Sequence, residues 1–287
     1  MIDPNSSQPP SLEELQILIP QVEVLSFIGH GGMGTYYKAR QPQLDRLVAV
    51  KVFFVDPATD QSLIAEFKRE ARAMAGLNHV HVIKVYDFGE TGSILFLLME
   101  FVQGDILERL IVSRGFDLQE IVSIMMQVCD ALEHAHGQGV IHRDIRPGNT
   151  MLDENGKVKV GDFGLARLIG EELFRNNLTE ANQAMGTMDY VAPEQLGTGK
   201  PVDCRADIYS VGMMFYKLLT HTLPYGGFTP PGNLIAGLDP KVDQVVIRCL
   251  QRNPDNRYQN VRELRTDLAQ ISPPVSPGQR KLRIPGN

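Results

Sequence analysis

A chain of 287 residues has length for one large domain or two small lobes, and for a buried core. Lys plus Arg total 28 against 34 for Asp plus Glu, a formal net charge of −6, which leaves no general basic footprint for nucleic acid. The longest apolar run, Ile94 to Met99, is too short to span a bilayer, and the N-terminus lacks a charged-then-apolar leader. Three widely spaced cysteines, Cys129, Cys204 and Cys249, show no metal-ligand spacing, so the expectation is a cytoplasmic protein with buried thiols.

Residues 1–21 read as an N-terminal extension, with a helix start at Ser11-Leu12-Glu13-Glu14. From Val22 to Ile28 the pattern is that of a strand, running into Gly29-His30-Gly31-Gly32-Met33-Gly34. Glycines at that spacing let backbone amides approach a phosphate, although a purely structural hairpin can look the same. Val48-Ala49-Val50-Lys51 is a second strand; its lysine is either a phosphate ligand or a side chain reaching for solvent. Ile64, Phe67, Ala71, Met74 and Ala75 fall on one face of a helix with Gly76 as its C-cap, and Glu70 lies beside that stripe. Two more strands, over 82–88 and 94–102, flank the turn Glu90-Thr91-Gly92-Ser93, and the chain beyond them reads as helical. Asp117 caps a long helix whose buried face includes Leu118, Ile121, Val122, Met125, Val128, Cys129 and Leu132.

That helix delivers the chain to His142-Arg143-Asp144-Ile145-Arg146-Pro147-Gly148-Asn149, followed by Gly161-Asp162-Phe163-Gly164. A carboxylate to receive a hydroxyl proton and a carboxylate–amide pair to hold Mg²⁺ are what phosphoryl transfer from ATP needs. The pattern resembles the catalytic core of the protein kinases, and is most similar to bacterial serine/threonine kinases of the eukaryotic type. The resemblance covers residues 22–271 and implies an α+β, two-lobed fold. A small antiparallel-sheet lobe with one main helix (22–102) would precede a larger helical lobe (105–271), with 272–287 as a tail or the start of a linker.

The same resemblance implies ATP held by Ile28, Gly29, Gly31, Gly34, Tyr36, Ala49, Lys51, Glu100, Val102 and Met151, with Glu70 as the ionic partner of Lys51. It implies Asp144 as base, Arg146 near the γ-phosphate, and Asn149 and Asp162 as ligands to Mg²⁺, with Mn²⁺ as the alternative ion. His142 and Phe163 would belong to an internal apolar stack, and Asp207 would bond the backbone of the catalytic loop. Gly186-Thr187-Met188-Asp189-Tyr190-Val191-Ala192-Pro193-Glu194 resembles the substrate-docking segment, with Thr187 touching Asp144 and Arg257 pairing with Glu194. Protein serines and threonines are the implied substrates. Thr179, with Arg143, is the expected site of regulatory autophosphorylation.

Three features depart from the family pattern. Arg146 replaces the commoner lysine, and arginine's planar fork is not a lysine's point charge. Tyr36 stands where a small valine usually covers the adenine, so its ring either swings outward or narrows the roof formed with Ala49. Pro230-Pro231-Gly232 stands where a surface helix is usual, which leaves Leu234, Ile235 and Leu238 to seal an apolar face over 228–238 suited to self-association. A catalytically weak nucleotide-binding scaffold and a small-molecule phosphotransferase are the rival readings. Intact Lys51, Asp144 and Asp162 argue against the first, and the 186–194 segment against the second.

Overall fold

The computed structural model describes residues 9–31, 34–55, 60–164, 189–197, 202–224 and 227–271. The described residues up to Asn78, with Ile83–Val102, form one compact unit; His79–Val82, Gln103–Phe163 and the described residues from Asp189 onward form the other.

The first unit is a five-stranded antiparallel sheet in the order β1-β2-β3-β5-β4. Its strands are β1 (Glu23–Gly31), β2 (Gly34–Gln41), β3 (Arg46–Phe54), β4 (Val85–Thr91) and β5 (Ile94–Glu100). Side chains alternate across the pleat, so each strand serves two faces. Tyr37, Ala39, Val48, Val50, Val52, Ile94, Phe96 and Leu98 form one apolar cluster, sealed by Leu15 and Ile19. Leu15 belongs to α1 (Leu12–Leu18), which opens with a reciprocal Ser11–Glu14 capping box. Gln16 then clamps the start of β1, donating to the Val22 carbonyl at 2.8 Å and accepting from Val24 N–H at 2.9 Å. Tyr37 donates to the Pro10 carbonyl at 2.6 Å. The segment ahead of the first strand is thus part of the core.

The other face of the sheet meets α2 (Gln61–Gly76), which buries Ile64, Phe67, Ala71 and Met74. Ala75 is exposed, and the C-cap is Leu77 rather than Gly76. β4 starts at Val85 and not at residue 82, because residues 79–82 are stitched to the second unit. Val82 bridges Val160 in parallel, Val160 N–H donates to the His81 carbonyl at 2.8 Å, and His81 Nδ1 bonds the Val158 carbonyl at 3.0 Å.

The second unit is not wholly helical after residue 103. A small sheet of β6 (Gly104–Ile106), β7 (Thr150–Asp153) and β8 (Val158–Val160) stands beside α3 (Leu107–Ser113). Its short strands lack the run of alternation that would announce them in sequence. Then come α4 (Leu118–Gly137), capped by Asp117 and Glu120, and α5 (Arg205–Thr220), buried nearly all round. α7 (Pro240–Cys249) and α8 (Val261–Leu268) pack on α5 and α4 respectively. The Pro230-Pro231-Gly232 stretch forms a single helical turn, α6 (Pro231–Leu234), pinned to α7 by a bond from Gly232 N–H to Asp243 Oδ1 at 2.8 Å. Leu234 does not seal this face; it is 48% exposed, and Phe228 is 42% exposed.

Candidate active site

The loop after α4 is built around one buried carboxylate. Asp207, fully buried on α5, accepts from His142 N–H at 2.9 Å and Arg143 N–H at 2.7 Å, and bonds His136 Nε2 of α4 at 2.7 Å. A buried charge is tolerated only when so satisfied. The bonds hold Arg143 at φ +69°, a left-handed conformation that non-glycine residues seldom adopt. Gln195 grips the same turn, donating from Nε2 to the Arg143 carbonyl at 3.0 Å. The fully buried His142 ring spans the loop. Its Nδ1 accepts from Asp144 N–H at 3.2 Å, so the proton sits on Nε2, which donates to the Gly161 carbonyl at 2.8 Å. Phe163 packs on that ring with centroids 4.5 Å apart. His142 is therefore a packed structural residue.

This scaffold fixes Asp144, which is 3% exposed. Asn149 Nδ2 donates to Asp144 Oδ2 at 2.7 Å and to its carbonyl at 2.9 Å, and Arg146 Nε lies 3.6 Å from the same Oδ2. Asp144 Oδ1 is buried and has no hydrogen-bond partner among the described residues. Burial pushes the carboxyl above its ordinary value, Arg146, His142 and Asn149 pull it back, and the nearby charge of Asp162 pushes it up again. Asp162 itself is held at φ +61°. Two carboxylates that repel, with an amide between them in sequence, make an oxygen-rich donor set. No group of three or more His, Cys, Asp or Glu side chains suited to a metal occurs among the described residues. Carboxylate and amide oxygens are the donor chemistry that suits Mg²⁺, which takes one or two protein carboxylates and completes its shell with phosphate and water.

Below the loop, Arg257 forms a two-pronged pair with Glu194, Nη1 to Oε1 at 2.6 Å and Nη2 to Oε2 at 2.8 Å, and also donates to the carbonyls of Gln251 and Arg205. Glu194 is thereby fixed at the end of the 186–194 segment. Thr179, Thr187, Arg167 and Arg175 lie outside the described residues.

In the first unit, Lys51 on β3 is fully buried. It stands opposite Tyr36 on β2 and Leu97 on β5, and Ala49 stands opposite Met99. Glu70 on α2 accepts from Arg69 Nη2 at 3.3 Å, and that is its ion pair among the described residues; the expected pairing with Lys51 is not formed here. Arg69 is also drawn to Glu66 at 2.8 Å, so one exposed arginine bridges two half-buried carboxylates. Gly34, at φ +139°, has no room for a Cβ, which would lie 2.7 Å from the Val52 carbonyl. Ile28 is 46% exposed, whereas Val102 is 8% exposed.

A carboxylate with a buried, unpartnered oxygen, flanked by an arginine and an asparagine on a loop hung from a second buried aspartate, points to one family. The protein kinase domain matches residues 22–271. The chain belongs to the protein kinases. It is 36% identical to the serine/threonine-protein kinase PknB of Mycolicibacterium smegmatis over 93% of this chain and 45% of that protein. With PknB of Mycobacterium tuberculosis the figures are 36%, 91% and 45%. It is 37% identical to a probable serine/threonine-protein kinase of Streptomyces coelicolor, covering 90% of this chain and 41% of that one. The chain thus spans about half the length of the curated relatives it matches. Among solved structures, the PknI kinase domain of M. tuberculosis superposes with a TM-score of 0.71 at 27% identity, covering 87% of this chain and 96% of that one. The expected site residues Lys51, Asp144, Asn149 and Asp162 all lie among the described residues. Sequence reasoning missed His136 and Gln195, which hold the 142–149 loop through bonds that no short motif records.

Proposed function

We propose that this chain transfers the γ-phosphoryl group of ATP to serine and threonine hydroxyls of proteins, its own included. The observation that carries this reading is Asp144 Oδ1, a buried acceptor with no partner among the described residues, on a carboxylate whose other oxygen is held by Asn149. An incoming hydroxyl would satisfy it and be oriented by it. Arg146, 3.6 Å from the same carboxylate, supplies positive charge where the transferred group gains negative charge. Asn149 and Asp162 are the residues that would hold Mg²⁺ or Mn²⁺. Such an ion, when bound, neutralises phosphate charge and orients the leaving group.

In the first unit, Lys51 is the proposed phosphate ligand, with the glycines Gly29, Gly31 and Gly34 lining the nucleotide. Ile28, Ala49, Glu100, Val102 and Met151 are assigned to the adenosine. Glu70 must exchange Arg69 for Lys51 in the working state. No helix among the described residues is long and apolar enough to cross a membrane. A cytoplasmic location, activation through Thr179 with Arg143, and self-association through the face bearing Phe228 and Leu234 belong to the same proposal.

The test is incubation with γ-labelled ATP and Mg²⁺, followed by acid hydrolysis to identify the labelled amino acid. Label on phosphoserine and phosphothreonine, lost in Asp162→Ala, is expected. Label only on a small molecule, or label that survives Asp162→Ala, would overturn the reading.

A further inference from the structure

Tyr36 is the largest departure in the nucleotide-binding strands, and the structure gives its ring a definite place. The register of β2 against β3 sets Tyr36 directly across from Lys51, and that of β1 against β2 sets Gly29 across from Tyr36. Its neighbour Tyr37 points to the cluster sealed by α1, so Tyr36 points to the opposite face, as Lys51 does. There the Lys51 ammonium lies 4.9 Å from the centroid of the Tyr36 ring and 5.2 Å from that of Phe53. Both distances are within the range of a cation–π contact. On the other side, the ring presses on the glycine-rich strand. A Cβ built at Gly31 would stand 2.9 Å from Tyr36 Cε2, closer than side chains tolerate. The ring is thus pinched between Gly31 and the ammonium, and swings inward.

A fully buried ammonium is costly unless electron-rich groups replace water around it. Two aromatic faces supply part of that replacement, and phosphate oxygens supply a stronger version. Ring and phosphate therefore call on one cation.

We propose that Tyr36 is a positioning residue that holds the Lys51 ammonium through its ring face and competes with the phosphates of the nucleotide for it. The inference rests on the assignment of Lys51 as phosphate ligand. It has a consequence that simple crowding lacks. Releasing the lysine favours ligands that carry phosphates and leaves a ligand without them unaffected.

Calorimetry on the whole chain with ATP, ADP and adenosine tests this in wild type, Tyr36→Phe, Tyr36→Val and Tyr36→Leu. Phenylalanine keeps the ring face and should retain the wild-type ratio of ATP to adenosine affinity. Valine and leucine should tighten ATP and ADP by about fivefold, the scale of one buried cation–π contact, with adenosine unchanged. Leucine guards against a folding defect from the smaller side chain. Equal tightening of ATP and adenosine would show that the ring only narrows the adenine roof and would overturn the proposal. So would ATP binding that is unchanged or weaker. Failure of the wild type to bind either ligand would instead defeat the kinase reading itself.

Discussion

The two units hold their functional groups by different physics. In the second, the 142–149 loop hangs from hydrogen bonds: Asp207 bonds two loop amides and His136, and the His142 ring ties Asp144 N–H to the Gly161 carbonyl. In the first, packing surrounds Lys51. Strand register puts it opposite Tyr36, two rings approach its ammonium, and an apolar cluster completed by α1 backs the sheet. Hydrogen bonds fix direction and tolerate little change, whereas packing fixes position but lets a ring turn. A catalytic carboxylate needs the first kind of support. A lysine that must accept different partners is suited to the second.

The largest effect is expected at Asp207. Asp207→Ala removes the acceptor for two backbone amides and His136 in a site with no access to water. The expected loss is about 3–9 kcal/mol of stability, from about 1–3 for each of three donors left unsatisfied, together with loss of transfer. Thermal unfolding and an activity assay read both, and a near-wild-type melting temperature would show that the loop is held by something else.

Leu15→Ala attacks the packed unit instead. The side chain is fully buried in the sheet cluster, so the cavity should cost about 2–5 kcal/mol. Amide exchange should rise in β1–β3 and leave α4 and α5 unchanged. Uniform loosening of both units would sink the distinction drawn here.

A smaller, pH-dependent effect sharpens the contrast at residues 79–82. His79 Nδ1 accepts from His81 N–H at 3.3 Å, and the ring stacks on His134 with centroids 5.1 Å apart. Burial, then His134, His81 and Lys159, hold the His79 pKa below its ordinary value, with Asp130 opposing them. A base with a depressed folded-state pKa favours the neutral form. Its contribution is present above the unfolded-state value near 6.5 and is lost as pH falls below it. Melting temperature should therefore drop from about pH 7.5 to about pH 5.5, and His79→Gln should flatten part of the slope. An identical slope in the variant would mean that other groups carry it.

How much of this is legible in the sequence obeys the same division. Asp144, Asn149 and Asp162 sit in short motifs, because a loop bonded to its own backbone needs particular residues at fixed spacing. Arg257 and Glu194, 63 positions apart, can be paired in sequence only by resemblance, and the structure joins them. The inward turn of Tyr36 stays open in sequence, since side-chain direction depends on register and on the absence of a Cβ at Gly31. The role of α1 is equally hidden. Ser11 and Glu14 announce a helix, but only packing shows Leu15 and Ile19 entering the core. The one-turn α6 and the strands β6–β8 are too short for periodicity to reveal.

The proposed role of Asp144 is to orient the attacking hydroxyl while other residues bind the nucleotide. It is tested most directly by Asp144→Asn, with nucleotide affinity and transfer rate measured on the same preparation. Asparagine keeps the shape and an acceptor oxygen but cannot take the proton. ATP affinity should stay within about twofold, and the transfer rate should fall by about 10²–10⁴. A variant that binds ATP normally and transfers phosphate at the wild-type rate would contradict the account.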